Sequence, residues 1–330
     1  MTDNGQRQAA REPGIRDVVV IGGAAAGLAG ALTLARARRS VLVLDAGAPR
    51  NRFAEGVHAL LGFDGIAPAE LLERGRAEVR RYGGHIQTGE VVRARRVEPG
   101  FAVDTADGRT VRARRLLVTT GLADELPAIP GVAERWGRDV LHCPYCHGWE
   151  VRDQPVGVLA TGPQAIHQAQ LFRQWSEDVV LFTHTAAPPD ATAAGELAAR
   201  GIRVVPGEVA GLVVEDDRLT GVRLAGGALV ARTAVVVAPR MVARAGFLAE
   251  LGLAPVEHPS GAGPHIPADP TGATAVAGVW VAGNVTDPSA QVGPAAAAGS
   301  VAAARINADL VAEEIGTAVA AARGGAGQPA

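Results

Sequence analysis

The stretch that most constrains this chain is RDVVVIGGAAAGLAG at 16–30, followed by VLVLD at 41–45. A short β-branched run ends in glycines, an alanine-rich helical segment follows, and a second apolar strand closes on an acid. This is the pattern of a βαβ unit with a tight turn at the C-terminal end of its first strand. Gly22-Gly23-Ala24-Ala25-Ala26-Gly27 nearly matches G-x-G-x-x-G, with Ala24 at the central glycine position. The first glycine serves the turn and the last lets helix and strand pack closely. The middle one lets a pyrophosphate approach the helix N-terminus, and Ala24 adds only a methyl there. Asp45 ends the second strand where a carboxylate can take ribose hydroxyls. Gly22, Gly23, Ala26, Gly27 and Asp45 are therefore the expected dinucleotide-binding residues.

The pattern recurs about 135 residues later. PVGVLATG (155–162) reads as strand and turn, PQAIHQAQLFRQW (163–175) as helix and DVVLFTH (178–184) as strand. Two such units in 330 residues fit two domains better than one core. The second turn, Ala160-Thr161-Gly162-Pro163-Gln164-Ala165, keeps only the central glycine. Pro163 has no N–H to donate, no acid ends the second strand, and THTAAPPDA offers no arginine to a 2′-phosphate. A domain retained for packing rather than for nucleotide binding is the favoured reading of this copy.

Between the units lie strand-like segments at 92–121, closing on the buried run RRLLVTTG, and the Pro- and Gly-rich connector ADELPAIPG at 123–131. A last strand, GVWVAGN (278–284), precedes an alanine-rich helix. The N-terminus over 1–14 and the tail over 316–330 read as disordered.

The only two cysteines, Cys143 and Cys146, sit in HCPYCHGWE at 142–150, each with a histidine outside it. No early segment resembles a secretory leader, and no apolar run reaches the roughly 18 residues that span a bilayer. A cytoplasmic protein with no membrane partner is expected, and there an isolated Cys-x-x-Cys is more often redox-active or metal-binding than a structural staple. Zinc normally takes four tetrahedral ligands, and no second cysteine pair exists, so no metal is expected. A glutaredoxin-like reading would put the motif near a domain start, without two dinucleotide-type turns around it. The net charge of −2 asks for no nucleic acid. All 32 basic residues are arginine, which is a matter of composition rather than of mechanism.

The order of these pieces (Gly-rich βαβ, TTG, ELPAIPG, Cys-x-x-Cys, second βαβ, GVWVAGN) resembles the low-molecular-weight thioredoxin reductases, FAD-dependent disulfide oxidoreductases, over about residues 16–312. The resemblance implies an α/β fold of two Rossmann-like (three-layer ββα) domains, the second inserted in the first. The FAD domain is expected over 15–122 and 246–315, and the central NADPH-type domain with the Cys-x-x-Cys over 123–245. Three departures stand out: the second Gly motif is damaged, His147 replaces the family's acid, and Gly283-Asn284 replaces its Gly-Asp. With histidines on both flanks of the cysteines, these departures resemble the natural-product dithiol oxidases of the gliotoxin and holomycin type, which use O2 and have no working NADPH site.

By this resemblance, FAD is the cofactor. Its further contacts are expected from Arg50, Asn51, Thr120, Gly121, Gly283, Asn284, Gln291 and Val292. Cys143 is the outer cysteine that substrate attacks, and Cys146 the one that passes electrons to the flavin. His142 and His147 are the candidate bases, with His147 ahead because it takes the acid's place. The partners implied are a small-molecule dithiol, O2 and a second copy of the chain in a homodimer. An NADPH- or ferredoxin-driven protein-disulfide reductase is the second reading, and a redox sensor the third. Trp149 is expected in core packing ahead of a substrate wall.

Overall fold

The computed structural model describes residues 14–162 and 164–325, and the chain divides into two units. The expected disorder over 1–13 lies outside the described residues. The first unit comprises the chain up to Arg50, Ala69–Ala123 and the chain from Val242 onward. The second comprises Asn51–Pro68 and Asp124–Met241. Residues 51–68, expected in the first domain, therefore pack with the second.

In the first unit, the strand Ile15–Ile21 runs parallel to Val41–Asp45 on one side and to Thr110–Val118 on the other. Val18, Val19, Val20, Leu116 and Leu117 are fully buried, as a strand covered on both faces requires. Removing each such side chain from water contributes about 1.5–3 kcal/mol. The strand Thr110–Val118 divides its outer edge. Its first half pairs antiparallel with Phe101–Thr105, and its second half pairs parallel with Val279–Val281. The chain thus re-enters the sheet beside the point it left, with the second unit's residues intervening in sequence.

Alanine and leucine, strong helix formers, build the opening helix Ala25–Arg36, and it crosses the C-terminal helix Val292–Gly325 almost backbone to backbone. A Cβ on Gly299 would lie 2.0 Å from the Ala26 carbonyl oxygen, so that crossing admits only glycine. The tail expected to be disordered from 316 is helical as far as Gly325; residues 326–330 lie outside the described set. Alanine favours helix there, and upstream Arg114 and Arg115 anchor Glu313 while Arg39 holds Glu314.

The second unit has a parallel five-stranded sheet ordered Arg203–Val205, Val179–Phe182, Val156–Leu159, Ala234–Val237, Val140–Leu141. A three-stranded antiparallel sheet, Val209–Glu215, Arg218–Leu224 and Leu229–Ala231, joins its core. The strand Val140–Leu141 lies at the sheet edge and delivers the chain directly to His142.

Candidate functional site: a dinucleotide cradle and a redox helix

The first unit gathers its candidate residues at the C-terminal ends of adjacent parallel strands. Gly22 follows Ile21, Asp45 ends the second strand, Thr119-Thr120-Gly121 follow Val118, and Gly283-Asn284 follow Val281 and Ala282. This edge is where doubly wound sheets bind ligands. Gly22 has φ 109°, and a Cβ on it would lie 2.4 Å from the Thr119 carbonyl oxygen. A Cβ on Gly27 would lie within 1.9 Å of the Gly22 carbonyl oxygen. The Thr119 hydroxyl donates to the carbonyls of Ile21 (3.0 Å) and Gly22 (2.9 Å) and so clamps the turn. Sequence reading missed Thr119; its only signal was the first threonine of TTG.

The opening helix has no side-chain cap and no acid in its first turn, so its N-terminal N–H groups are not used up by the protein's own carboxylates. Asp45 is held by Arg76 (Nη2 to Oδ2, 3.1 Å) and by the Gly47 N–H (3.0 Å). Thr120 points elsewhere: its hydroxyl donates to the Arg244 carbonyl at 2.6 Å, while the Arg244 N–H donates to the Gly121 carbonyl. Thr120 and Gly121 are thus seen bracing the return of the chain. Arg50 falls in the first unit, and Asn51 in the second.

Gly283, at φ 74°, brings the last strand against Ala26, whose Cβ lies 3.0 Å from where a Gly283 Cβ would stand. The Asn284 amide nitrogen then donates to the carbonyls of Asp287 (3.0 Å), Pro288 (3.3 Å) and Ala290 (2.9 Å). An aspartate would set a carboxylate against those three carbonyls, so asparagine is what this loop's geometry demands. The loop ends at Gln291, whose carbonyl accepts from the Ala295 N–H, and Val292 opens the C-terminal helix. The uncapped helix start, glycine-lined turn and strand-end acid fit a dinucleotide such as FAD.

The redox motif lies wholly in the second unit. Cys143 is the N-cap and Cys146 the third residue of one helical turn, Pro144–His147, with Pro144 at the position that needs no N–H. The N–H groups of Cys146 and His147 both donate to the Cys143 carbonyl at 3.2 Å. The i, i+3 spacing puts the two half-buried sulfurs on one side of the turn. Gly148 ends it under the Trp175 ring; a Cβ there would lie 2.8 Å from the indole and 2.4 Å from the Pro144 carbonyl oxygen.

The two histidines occupy different surroundings. The His142 Nδ1 lies 3.2 Å from the Val237 carbonyl and 3.2 Å from the Gln168 amide, and is thereby tied to the sheet. When Nδ1 carries the proton for Val237, Nε2 is left as the acceptor. His147 is pushed below the ordinary histidine value of 6.5, chiefly by burial; Glu150 opposes this and His58 adds to it. Burial thus favours its neutral form, the form that can accept a proton. His58 and Glu150 had no role in the sequence reading. Trp149 is not in the core: it is 65% exposed, with the Arg152 guanidinium 4.1 Å from its ring centroid. Tyr145, 60% exposed, meets Trp175 edge-on.

The second Gly turn is unlike the first. A Cβ on Gly162 would meet nothing within 4 Å. Beside it is a cavity of about 300 Å³ lined by Ala160, Gly162, Ala165, Ile166, Leu181 and further small or apolar residues. Among the described residues no arginine lines it.

A doubly wound flavin-type unit combined with a Cys-x-x-Cys unit defines the disulfide oxidoreductase class of flavoproteins. The family of pyridine nucleotide-disulphide oxidoreductases matches residues 16–323, and the chain belongs to it, in its thioredoxin reductase-like branch. FAD is the cofactor of that branch. Thioredoxin reductase sirT of Leptosphaeria maculans is 30% identical over 89% of this chain and 94% of its own length. Thioredoxin reductase tcpT of Claviceps purpurea is 36% identical over 52% of this chain and 56% of its own. The chain spans about half the length of the first curated relatives it matches. The crystal structure of HlmI superimposes with a TM-score of 0.88 at 50% identity, covering 94% of this chain and 98% of that one. An oxidoreductase from Agrobacterium tumefaciens gives 0.85 at 38% identity, covering 90% and 99%. Among the described residues no helix is long and apolar enough to cross a membrane.

Proposed function

We propose that this protein is an FAD-dependent dithiol oxidase that closes a disulfide in a small-molecule dithiol through Cys143 and Cys146, with O2 as acceptor and H2O2 as product. The observation that carries the reading is the contrast within the second unit: a redox turn flanked by two histidines, and a Gly turn with no charged lining for a 2′-phosphate. The exposed rings of Tyr145 and Trp149 beside the cysteines offer an apolar rim to a small substrate.

The exchange starts from the Cys143–Cys146 disulfide. A substrate thiol loses its proton to a histidine, and the thiolate attacks the Cys143 sulfur, forming a mixed disulfide and releasing Cys146 as thiolate. The second substrate thiol, deprotonated in turn, attacks the substrate sulfur of that mixed bond and expels the Cys143 thiolate. The product disulfide leaves, and the enzyme retains the electron pair on its two cysteines. His147, half-buried and with its charged form disfavoured by burial, is the proton acceptor for the incoming thiol; His142, held at Nδ1 by the Val237 carbonyl and at its own carbonyl by the Gln168 amide, is oriented to hold the second proton. Bound FAD supplies the two-electron acceptor that O2 re-oxidises. Gly22, Gly23, Ala26, Gly27, Asp45, Gly283, Asn284, Gln291 and Val292 would hold it, and Arg50, Asn51, Thr120 and Gly121 complete the set assigned by resemblance. A homodimer and a cytoplasmic setting complete the proposal.

The test is an anaerobic titration of the yellow protein with dithiothreitol and, separately, with NADPH. Bleaching by the dithiol alone, with colour and peroxide returning on admission of air, is expected. Prompt bleaching by NADPH overturns the reading in favour of a thioredoxin reductase-like enzyme.

A further inference from the structure

The helix Ala165–Phe172 follows the second Gly turn, where a nucleotide-binding corner would present N–H groups to a phosphate. Its buried face carries Gln168, which is only 6% exposed and reaches across to His142. The Gln168 Nε2 donates to the His142 carbonyl at 3.3 Å and lies 3.2 Å from the ring nitrogen Nδ1 of the same residue. Val237 ends the neighbouring strand Ala234–Val237, and its carbonyl oxygen lies 3.2 Å from that Nδ1 as well. The Gln168 Oε1 is buried and has no hydrogen-bond partner among the described residues. A buried acceptor without a donor costs stability, so what Gln168 gives the fold does not explain it. Turning the amide over is worse. That would set an oxygen against the His142 carbonyl and bury two N–H groups where no acceptor lies.

The amide has two N–H donors, and Nδ1 of a neutral imidazole is either a donor or an acceptor. When Nδ1 carries the proton, it donates to Val237, and Gln168 is used only at the His142 carbonyl. When Nδ1 is bare, it accepts the second N–H of Gln168. Each tautomer therefore finds its partner at the same distance. We infer that Gln168 is a positioning residue for His142, the alternative to Val237 that keeps both tautomers of the ring populated. The inference rests on the dithiol-oxidase reading. In the first tautomer Nε2 has a lone pair and takes a proton from a substrate thiol. In the second Nε2 carries the proton and donates a hydrogen bond to a thiolate, a species that each step of the exchange generates. The ring gains and loses nothing in passing between them: one proton leaves Nδ1 and one arrives at Nε2.

A brace and a tautomer partner make different predictions. Replacing a residue that only braced the turn would lower the melting temperature and leave the proton on the His142 ring where it was. Replacing a tautomer partner moves that proton. Gln168→Met keeps the length of the side chain without its N–H groups. Gln168→Glu keeps the shape and puts an acceptor where the donor was. Both remove the partner of a bare Nδ1, so a failure of one variant to fold leaves the other to decide.

The experiment uses the holoenzyme labelled with 15N-histidine at about pH 9, above the ordinary histidine range. His142 is assigned by its loss in His142→Gln. The wild type is expected to give ring-nitrogen shifts intermediate between the two tautomers, and both Gln168 variants to give those of the Nδ1–H form. The limiting rate of anaerobic flavin bleaching by dithiothreitol is expected to fall about tenfold in the variants, with the half-saturating dithiothreitol concentration unchanged. A wild-type ring already in one tautomer overturns the inference. So do variants with wild-type shifts, and so does a tautomer that moves while the bleaching rate stays. A wild-type flavin that dithiothreitol does not bleach at any concentration sinks the oxidase reading itself. A flavin bleached equally fast in wild type and variants leaves that reading standing and removes only the role of Gln168.

Discussion

The two strand–turn–helix corners of this chain descend from one pattern but are built to different tolerances. At the first, Cβ atoms on Gly22 and Gly27 would overlap backbone oxygens at 2.4 and 1.9 Å, and Thr119 clamps the turn from the neighbouring strand. At the second, a Cβ on Gly162 meets nothing, and the space beside it is lined by alanine, isoleucine and leucine. Packing dictates glycine in the first corner and only permits it in the second. A corner that must present backbone N–H groups to a pyrophosphate keeps its close approach, and one that has no such task can lose it. In the second unit the edge strand Val140–Leu141 leads instead into His142 and the turn that carries Cys143 and Cys146.

The largest effect should therefore fall on the redox turn. Cys146→Ser is expected to slow dithiol-driven flavin bleaching by at least about a thousandfold in stopped flow, with flavin content unchanged. Rapid bleaching of that variant would remove the second unit from the chemistry. His147→Gln should follow, with a loss of about 10²–10⁴-fold. In the wild type the acid limb of the rate profile should lie below the ordinary histidine value of 6.5, because burial disfavours the charged imidazole. The sign follows directly: lowering the pH through that limb protonates the acceptor and the rate falls.

At the first corner, Gly27→Ala is expected to cost about 1–3 kcal/mol of stability and to yield protein short of flavin, read by thermal melting and the absorbance ratio. Asn284→Asp turns a donor toward three carbonyls into an acceptor and should cost about 1–3 kcal/mol, with flavin loss on dilution. The smallest effect is Gly162→Ala, within about 0.5 kcal/mol and without change in flavin content. A Gly162→Ala protein as damaged as Gly27→Ala would erase the distinction between the corners.

The sequence alone determined the local elements and their order. The β-branched runs 18–21, 41–44, 156–159 and 179–182 are strands because alternating sterics and burial on both faces leave them no other use. The Gly22–Gly27 turn, Asp45 and the Cys143–Cys146 spacing were legible because each acts over a few residues. Tertiary packing alone decided the rest. It placed residues 51–68 with the second unit, drew His58 to Glu150 across some 90 residues of sequence, and set Thr119 behind the first turn. It also continued the C-terminal helix to Gly325 against Arg39, Arg114 and Arg115. Asn284 is the clearest case. In the sequence it is a lost charge, and in the fold it is the one side chain of that size that can donate to the carbonyls converging on it. Short-range sterics are written in neighbouring residues, but a hydrogen-bond donor's purpose is defined by acceptors that only the folded chain assembles.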